Sequence, residues 1–196
     1  DGGTANMARK MREAGLPEWD IQGVFNSQIV YTLEFDQSRY SELTVAVIVA
    51  AIVAAMAVGV GRASLDFLKE ELERQGVAIR YDAPPRELTA IERDVIEMEA
   101  DLQAARLLTW KAAWMMNKGK PNNLEASIAK AKAGLAVTRI CQKTVELLGP
   151  VGYSRKILVE KWFRDAKIND IFEGTQQINQ LIVARRILDY PSAMLR

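Results

Sequence analysis

The sequence predicts an all-α chain and, within that class, a four-helix up-down bundle. Three observations carry this. Residues that favour strands stand at helical rather than alternating spacing, and no hairpin dipeptide separates alternating runs. Four long stretches carry an apolar period of helical type, each with its own start and stop signals. The links between them are short, which makes successive helices antiparallel neighbours. A chain of 196 residues is long enough for one sizeable core.

In order, a polar opening to about Gly23 holds one short helical candidate, stopped by Gly15 and Pro17, and a second runs from Gln28 to Leu33. Residues 1–40 are read as an N-terminal extension and 41–196 as the bundle domain. Ser41 is the expected N-cap, with Glu42 in the first turn, of a long helix reaching about Gln75 and stopped by Gly76. Pro84 and Pro85 then enforce a loop in "GVAIRYDAPPREL". Thr89 followed three residues later by Glu92 is a capping box for a helix to about Lys118, ended by Gly119 and Pro121. Asn122 or Asn123 caps the third long helix, which stops at Gly149 and Pro150. "ILVEKWFRDAKINDIF" is a shorter helical segment. "QQINQLIVARRIL" is the last helix, with Ile178, Leu181, Ile182 and Leu188 on one face and Pro191 closing it.

The run "VAVIVAAIVAAMAVGV", Val45 to Val60, is apolar all round and therefore requires burial. It falls short of the roughly 20 residues that span a bilayer. A central helix of the bundle or of an oligomer interface is expected, rather than a membrane anchor.

Composition narrows the chemistry. With 26 basic and 25 acidic side chains and a net charge of +1, the chain has no global field to draw nucleic acid or an anionic membrane. There is no histidine, and the single thiol, Cys141, lies in an apolar helical run. These facts argue against a zinc cage, a His–Cys nucleophile pair, a disulfide framework and a carboxylate-helix di-iron site. Chemistry would have to come from carboxylates, hydroxyls, amides, backbone dipoles or a bound organic cofactor. The opening "DGGTANMARKM" has no apolar core of secretory length, so a cytoplasmic protein is expected. Its lack of an initial methionine points to a piece of something longer.

One short stretch concentrates the functional question. In "NDIFEGTQQI" the carboxylate of Glu173 stands before a Gly–Thr pair and between two helical segments. Spacing alone leaves two readings open, a solvated acid at a helix terminus and a base. Thr175 reads as an N-cap and Gln177 as a surface amide. Arg164, Asp165 and Lys167 read as structural ion pairs, the four tryptophans as core or interface, and Cys141 as packed.

The longer string "RDAKINDIFEGTQQINQLIVARRI", Arg164 to Ile187, resembles the C-terminal signature of the acyl-CoA dehydrogenases. The order is Arg-Asp-x-Lys-Ile, then Ile-aromatic-Glu-Gly-Thr, then Gln-Ile, then Ile-Val-Ala-Arg. The likeness extends upstream through "ELLGPVGYSRKILVEKWF", "EASIAKAKAG" and "ARLLTWKAAW" to "LEFDQSR", where members carry Phe-Asp-x-x-Arg. It covers Phe35 to Ile187 and corresponds to a member's C-terminal helical domain, not to its N-terminal helical or middle β-domain.

The resemblance implies oxidation of the α,β bond of an acyl-CoA thioester, with FAD as cofactor and an electron-transfer flavoprotein as electron acceptor. It implies a dimer or tetramer, and inactivity of this domain alone. By its place in "FEGT", Glu173 matches the base; burial beside a flavin and an acyl chain raises a carboxylate's pKa towards neutrality, which suits that role. The backbone N–H of Glu173 matches a donor to the thioester carbonyl, in the manner of an oxyanion hole. Gly174, Thr175 and Gln177 match positions beside FAD, and Phe172 the aromatic lining the acyl pocket. Phe35, Asp36, Ser38 and Arg39 match the element along the CoA moiety, Arg39 as its charge partner.

The sequence also departs from the family pattern. Where members carry Arg-x-x-Phe-Gly for the flavin diphosphate, "AIRYDAPPREL" offers Tyr81 for the Phe and Arg80 or Arg86 for the Arg, beside Asp82 and two prolines. The Gln-x-x-Gly-Gly element reads "ELLGP", keeping Gly149 while Glu146 replaces the Gln and Pro150 the second Gly. A carboxylate facing a diphosphate is unfavourable. The interval from Arg39 to Gly59 is also about three helical turns longer than usual. These departures support a second expectation, a non-catalytic assembly domain or subunit that keeps the bundle for oligomerisation and has lost flavin binding.

Overall fold

The computed structural model describes the backbone from Glu42 to Tyr190 and side chains from Ile48 onward. The two short N-terminal helices, the Ser41 cap and the residues Phe35, Asp36, Ser38 and Arg39 lie outside the described residues. The chain divides into two units, Asp1–Glu42 and Leu43–Arg196, and the helical bundle belongs to the second.

The described residues are helical, with no strand among them. Helix α1 (Glu42–Arg74) leads through a loop with a 3-10 turn (Pro85–Glu87) into α2 (Ala90–Asn117). Helices α3 (Asn123–Leu148), α4 (Val159–Ala166), α5 (Ile168–Ile171) and α6 (Gln176–Leu188) complete the order. The four long helices are those the sequence predicts. α3 is the central one, packing on α2, α4, α5 and α6. Leu65, Leu68 and Leu72 of α1 meet Val95, Met98 and Leu102 of α2 and Val137, Ile140 and Cys141 of α3 in one core. Each large aliphatic side chain buried there contributes about 1.5–3 kcal/mol. Gly61 lets α1 close on this core, since a Cβ there would stand 3.3 Å from Leu102 Cδ1 and 3.6 Å from Ile140 Cδ1. Burial pushes the Cys141 thiol pKa up to about 11, so it is an inert packed thiol.

The capping box at α2 forms as expected: Thr89 Oγ1 accepts from Glu92 N–H at 3.2 Å, and Glu92 Oε2 accepts from Thr89 N–H at 2.7 Å. Asn122 occupies the N-cap of α3 without capping it. Its Nδ2 donates instead to Ala112 O at 2.9 Å and ties α3 to the last turns of α2.

One expectation is corrected. "ILVEKWFRDAKINDIF" is not one helix but two, α4 and α5. Gly134 of α3 sits so close that a Cβ there would lie 3.0 Å from Asn169 O and 3.2 Å from Asp170 Cα; the break lets α5 seat its backbone directly on α3. The apolar α1 run is buried on one face only. Ala50, Ala54 and Ala57 are inside, while Met56 is 52 % exposed and Ala55 and Gly59 face outward. The window Ile48–Arg74 is long and apolar enough to cross a membrane, yet half of it is already buried against this chain.

Candidate functional site

Everything the sequence singles out around Glu173 lies on the turn between α5 and α6. Phe172 leaves α5 in extended conformation, its N–H still bonded to Ile168 O at 3.0 Å. Glu173 then takes φ +54 and Gly174 φ +96. A left-handed conformation is ordinary for glycine and costs a glutamate of the order of 1–2 kcal/mol. The turn holds because its exit is clamped. Thr175 caps α6, its Oγ1 accepting from Ile178 N–H at 3.3 Å. Asn179, buried, donates from Nδ2 to Gly174 O at 3.0 Å and to Thr175 O at 2.9 Å.

The result is a presented carboxylate. Glu173 and Gly174 are exposed, Phe172 and Thr175 half-buried, and Gln177 exposed on the first turn of α6. Neither the Glu173 carboxylate nor its backbone N–H makes a hydrogen bond among the described residues. A Cβ at Gly174 would meet only Asn179 Nδ2, at 3.4 Å, so bare backbone faces outward beside the carboxylate. A proton acceptor, an unused N–H donor and an open backbone surface thus stand on adjacent residues.

The positions matching the diphosphate end of the cofactor are not gathered at this turn. Gly149 terminates α3, with φ +56, and lies roughly 22 Å beyond the Gly134 seat at about 1.5 Å of rise per residue. Tyr81 lies beside Lys69 of α1, whose Nζ is 5.5 Å from its ring centroid; partial burial pushes its pKa up. Arg80 is committed within the chain. Its Nε and Nη2 donate to Glu92 Oε1 and Oε2 at 2.6 and 2.8 Å, and Nη2 also reaches Glu87 O at 2.9 Å. Arg86 is exposed and forms no ion pair among the described residues. Glu146 is held by Gln142 at 2.9 Å and Lys143 at 3.0 Å, contacts that keep its carboxyl below the usual range.

Arg164, Asp165 and Lys167 pair with Glu160, Lys161 and Asp170, as read from the sequence. Of the tryptophans, Trp162 packs edge-on against Phe67 with centroids 6.4 Å apart. Trp110 and Trp114 lie exposed on α2 under Arg106 and Lys120. No group of histidine, cysteine or acidic side chains among the described residues could hold a metal. A shallow groove of about 340 Å³ lies between α3 and α6, lined by Ile128, Leu135, Val183 and Gln180 among others. Glu173 is not part of its lining. Sequence reasoning does not find Lys130 or Asn179. The only signal for Lys130 is a lysine in register with the buried Ala126, Ala133 and Val137 of α3.

Comparison with known proteins points to one family. The family model described as acyl-CoA dehydrogenase, C-terminal domain, matches residues 49–188. The short-chain specific acyl-CoA dehydrogenase of Bos taurus mitochondria is 37% identical over 136 residues, 69% of this chain and 32% of that protein. Cyclohexane-1-carbonyl-CoA dehydrogenase of Geobacter metallireducens is 31% identical over 178 residues, 90% of this chain and 43% of that protein. The butyryl-CoA dehydrogenase structure from Megasphaera elsdenii superposes with a TM-score of 0.65 at 30% identity, over 74% of this chain and 37% of that one. The chain therefore spans about a third to two fifths of the length of the relatives it matches.

Proposed function

The chain belongs to the acyl-CoA dehydrogenase family, whose C-terminal domain it carries, and from that premise we propose that it serves in FAD-dependent α,β-dehydrogenation of an acyl-CoA, with Glu173 as the base. The observation that supports this best is the turn itself. A glutamate held at φ +54 is a costly arrangement for a mere surface acid, and clamped strain of this kind concentrates at functional sites. The Glu173 carboxylate takes the α-proton of the thioester. Its own backbone N–H, unused among the described residues, bonds the thioester carbonyl and stabilises the charge that develops there. Phe172 flanks the acyl chain.

FAD, when bound, supplies the acceptor for the β-hydride. The residues on its flavin side suit it: Gly174 offers bare backbone, with Thr175 and Gln177 beside it. Its diphosphate side is less well provided, because Arg80 is spent on Glu92 and Glu146 adds a carboxylate. Arg86 is the remaining cation of that loop. In the longer protein the reaction would pass electrons to an electron-transfer flavoprotein, and the exposed apolar faces of α1, α2 and α6 would be covered in a dimer or tetramer.

The internal pairing of Arg80 favours a second reading, an assembly module without flavin. The spectrum of the full-length protein separates the two. Yellow protein that bleaches on adding acyl-CoA, with the Glu173→Gln variant slower by roughly 10²–10⁴-fold, supports the enzyme. Colourless protein that does not take up added FAD supports the assembly module.

A further inference from the structure

Lys130 of α3 is 1% exposed, among the most deeply buried large side chains of the described residues. An ammonium withdrawn that far from water needs compensation. Its Nζ donates to Asn169 O at 3.3 Å, on the short helix that ends one residue before Phe172. Burial pushes its pKa down, and the charges of Asp170 and Glu173 push it back up. One turn along α3, Gly134 meets the same segment through bare backbone. Asn169 Oδ1 and Asp170 Oδ1 are buried on that segment without a hydrogen-bond partner among the described residues.

We propose that Lys130 is the positioning residue of the base: its buried ammonium pins α5 to α3 through Asn169 O and so fixes where the following turn presents the Glu173 carboxylate. This rests on reading Glu173 as the base. The surrounding elements carry further charges. Lys167 holds Asp170 Oδ2 at 2.6 Å. Asp101 of α2 is paired with Lys132 and Arg139, and Glu125 of α3 with Lys111. Glu160 and Asp165 of α4 pair within their own helix. Arg185 and Arg186 lie in the last turn of α6. Lys130 thus shares Asp170 with Lys167 and interacts with Glu173 as well.

The test uses the full-length flavoprotein. Lys130→Met is expected to lower kcat roughly 10- to 100-fold with KM for acyl-CoA unchanged, as misplacement of a reacting group does. Lys130→Arg should recover most of the rate. Wild-type kcat in Lys130→Met would overturn the proposal. Should that variant not fold, the reciprocal measurement decides. Glu173→Gln changes an exposed turn, and ¹⁵N NMR of Lys130 Nζ in that variant should show a lower titration midpoint, since coupling between two sites is mutual. An unmoved midpoint overturns the coupling, whereas full activity of Glu173→Gln overturns the base.

Discussion

The corner where α1 turns into α2 and the turn that enters α6 are built from similar residues and finished to different degrees. At the corner, Glu92 is buried and receives Arg80 through two charge-assisted bonds and the Thr89 N–H through a third. Beside it, Lys69 meets Glu99. At the α6 end, buried acceptors on Asn169 and Asp170 lack partners among the described residues, Glu173 is held in a left-handed conformation, and Ile178, Leu181, Ile187 and Leu188 face outward. The first region closes its interactions inside the chain. The second leaves them for something else to complete, and that is the region carrying the family signature.

The sharpest way to break this comparison is in packing. Ile140→Ala, in the closed core, should cost about 2–5 kcal/mol, read from the midpoint of denaturant unfolding. Ile187→Ala, 65% exposed on α6, should cost within about 0.5 kcal/mol in this chain. A comparable loss at both positions would mean that the α6 face is already covered.

A smaller effect belongs to pH. The Arg80 guanidinium, with the Thr89 N–H, holds the Glu92 carboxyl well below its ordinary value of 4.5. For a carboxyl whose folded pKa is depressed, the associated stability is fully present above the unfolded value and is lost as pH falls towards the folded one. Unfolding titrations from pH 6 to 2 should therefore steepen below about 4.5 in the wild type, and Glu92→Gln should flatten that slope. Equal slopes would remove the pair from any account of acid stability. The effect should stay below that of the core cavity, because Arg80 is half exposed and solvent screens it.

What the sequence discloses depends on the range of the interaction. The Thr89–Glu92 box and the Thr175 cap are local, three residues end to end, so residue types at fixed offsets suffice to read them. Glu173 needs more. Its spacing is equally that of a surface acid, and only the ordered string around it separates the readings. Lys130 is not legible because what buries it is α5, 39 residues away, and nothing in "SIAKAKAG" records that approach. The division of the segment after Ile157 into α4 and α5 is hidden for the same reason, since helical periodicity continues through it while the Gly134 contact breaks it. Arg80 reads as a free cation for a diphosphate because its partner lies 12 positions on, across two prolines. The outward face of α1 has a different cause: apolar residues all round predict burial without saying by which chain.

The smallest expected effect bears most directly on why the two regions differ. If Glu173 is kept in place by chemistry rather than folding, a residue better suited to φ +54 should stabilise the turn and end its activity. Glu173→Gly removes a left-handed penalty of about 1–2 kcal/mol. It also frees the unfolded chain, which takes back about 0.4–1 kcal/mol, leaving a net gain of about 0.5–1 kcal/mol. Denaturant unfolding of the variant reads the gain, and acyl-CoA-dependent bleaching of the full-length protein reads the loss of turnover. A gain together with a loss is the signature of a site that holds strain for function. No gain would mean that the Asn179 clamp accommodates glutamate without cost, and strain would then say nothing about function at this residue even if the carboxylate proved to be the base.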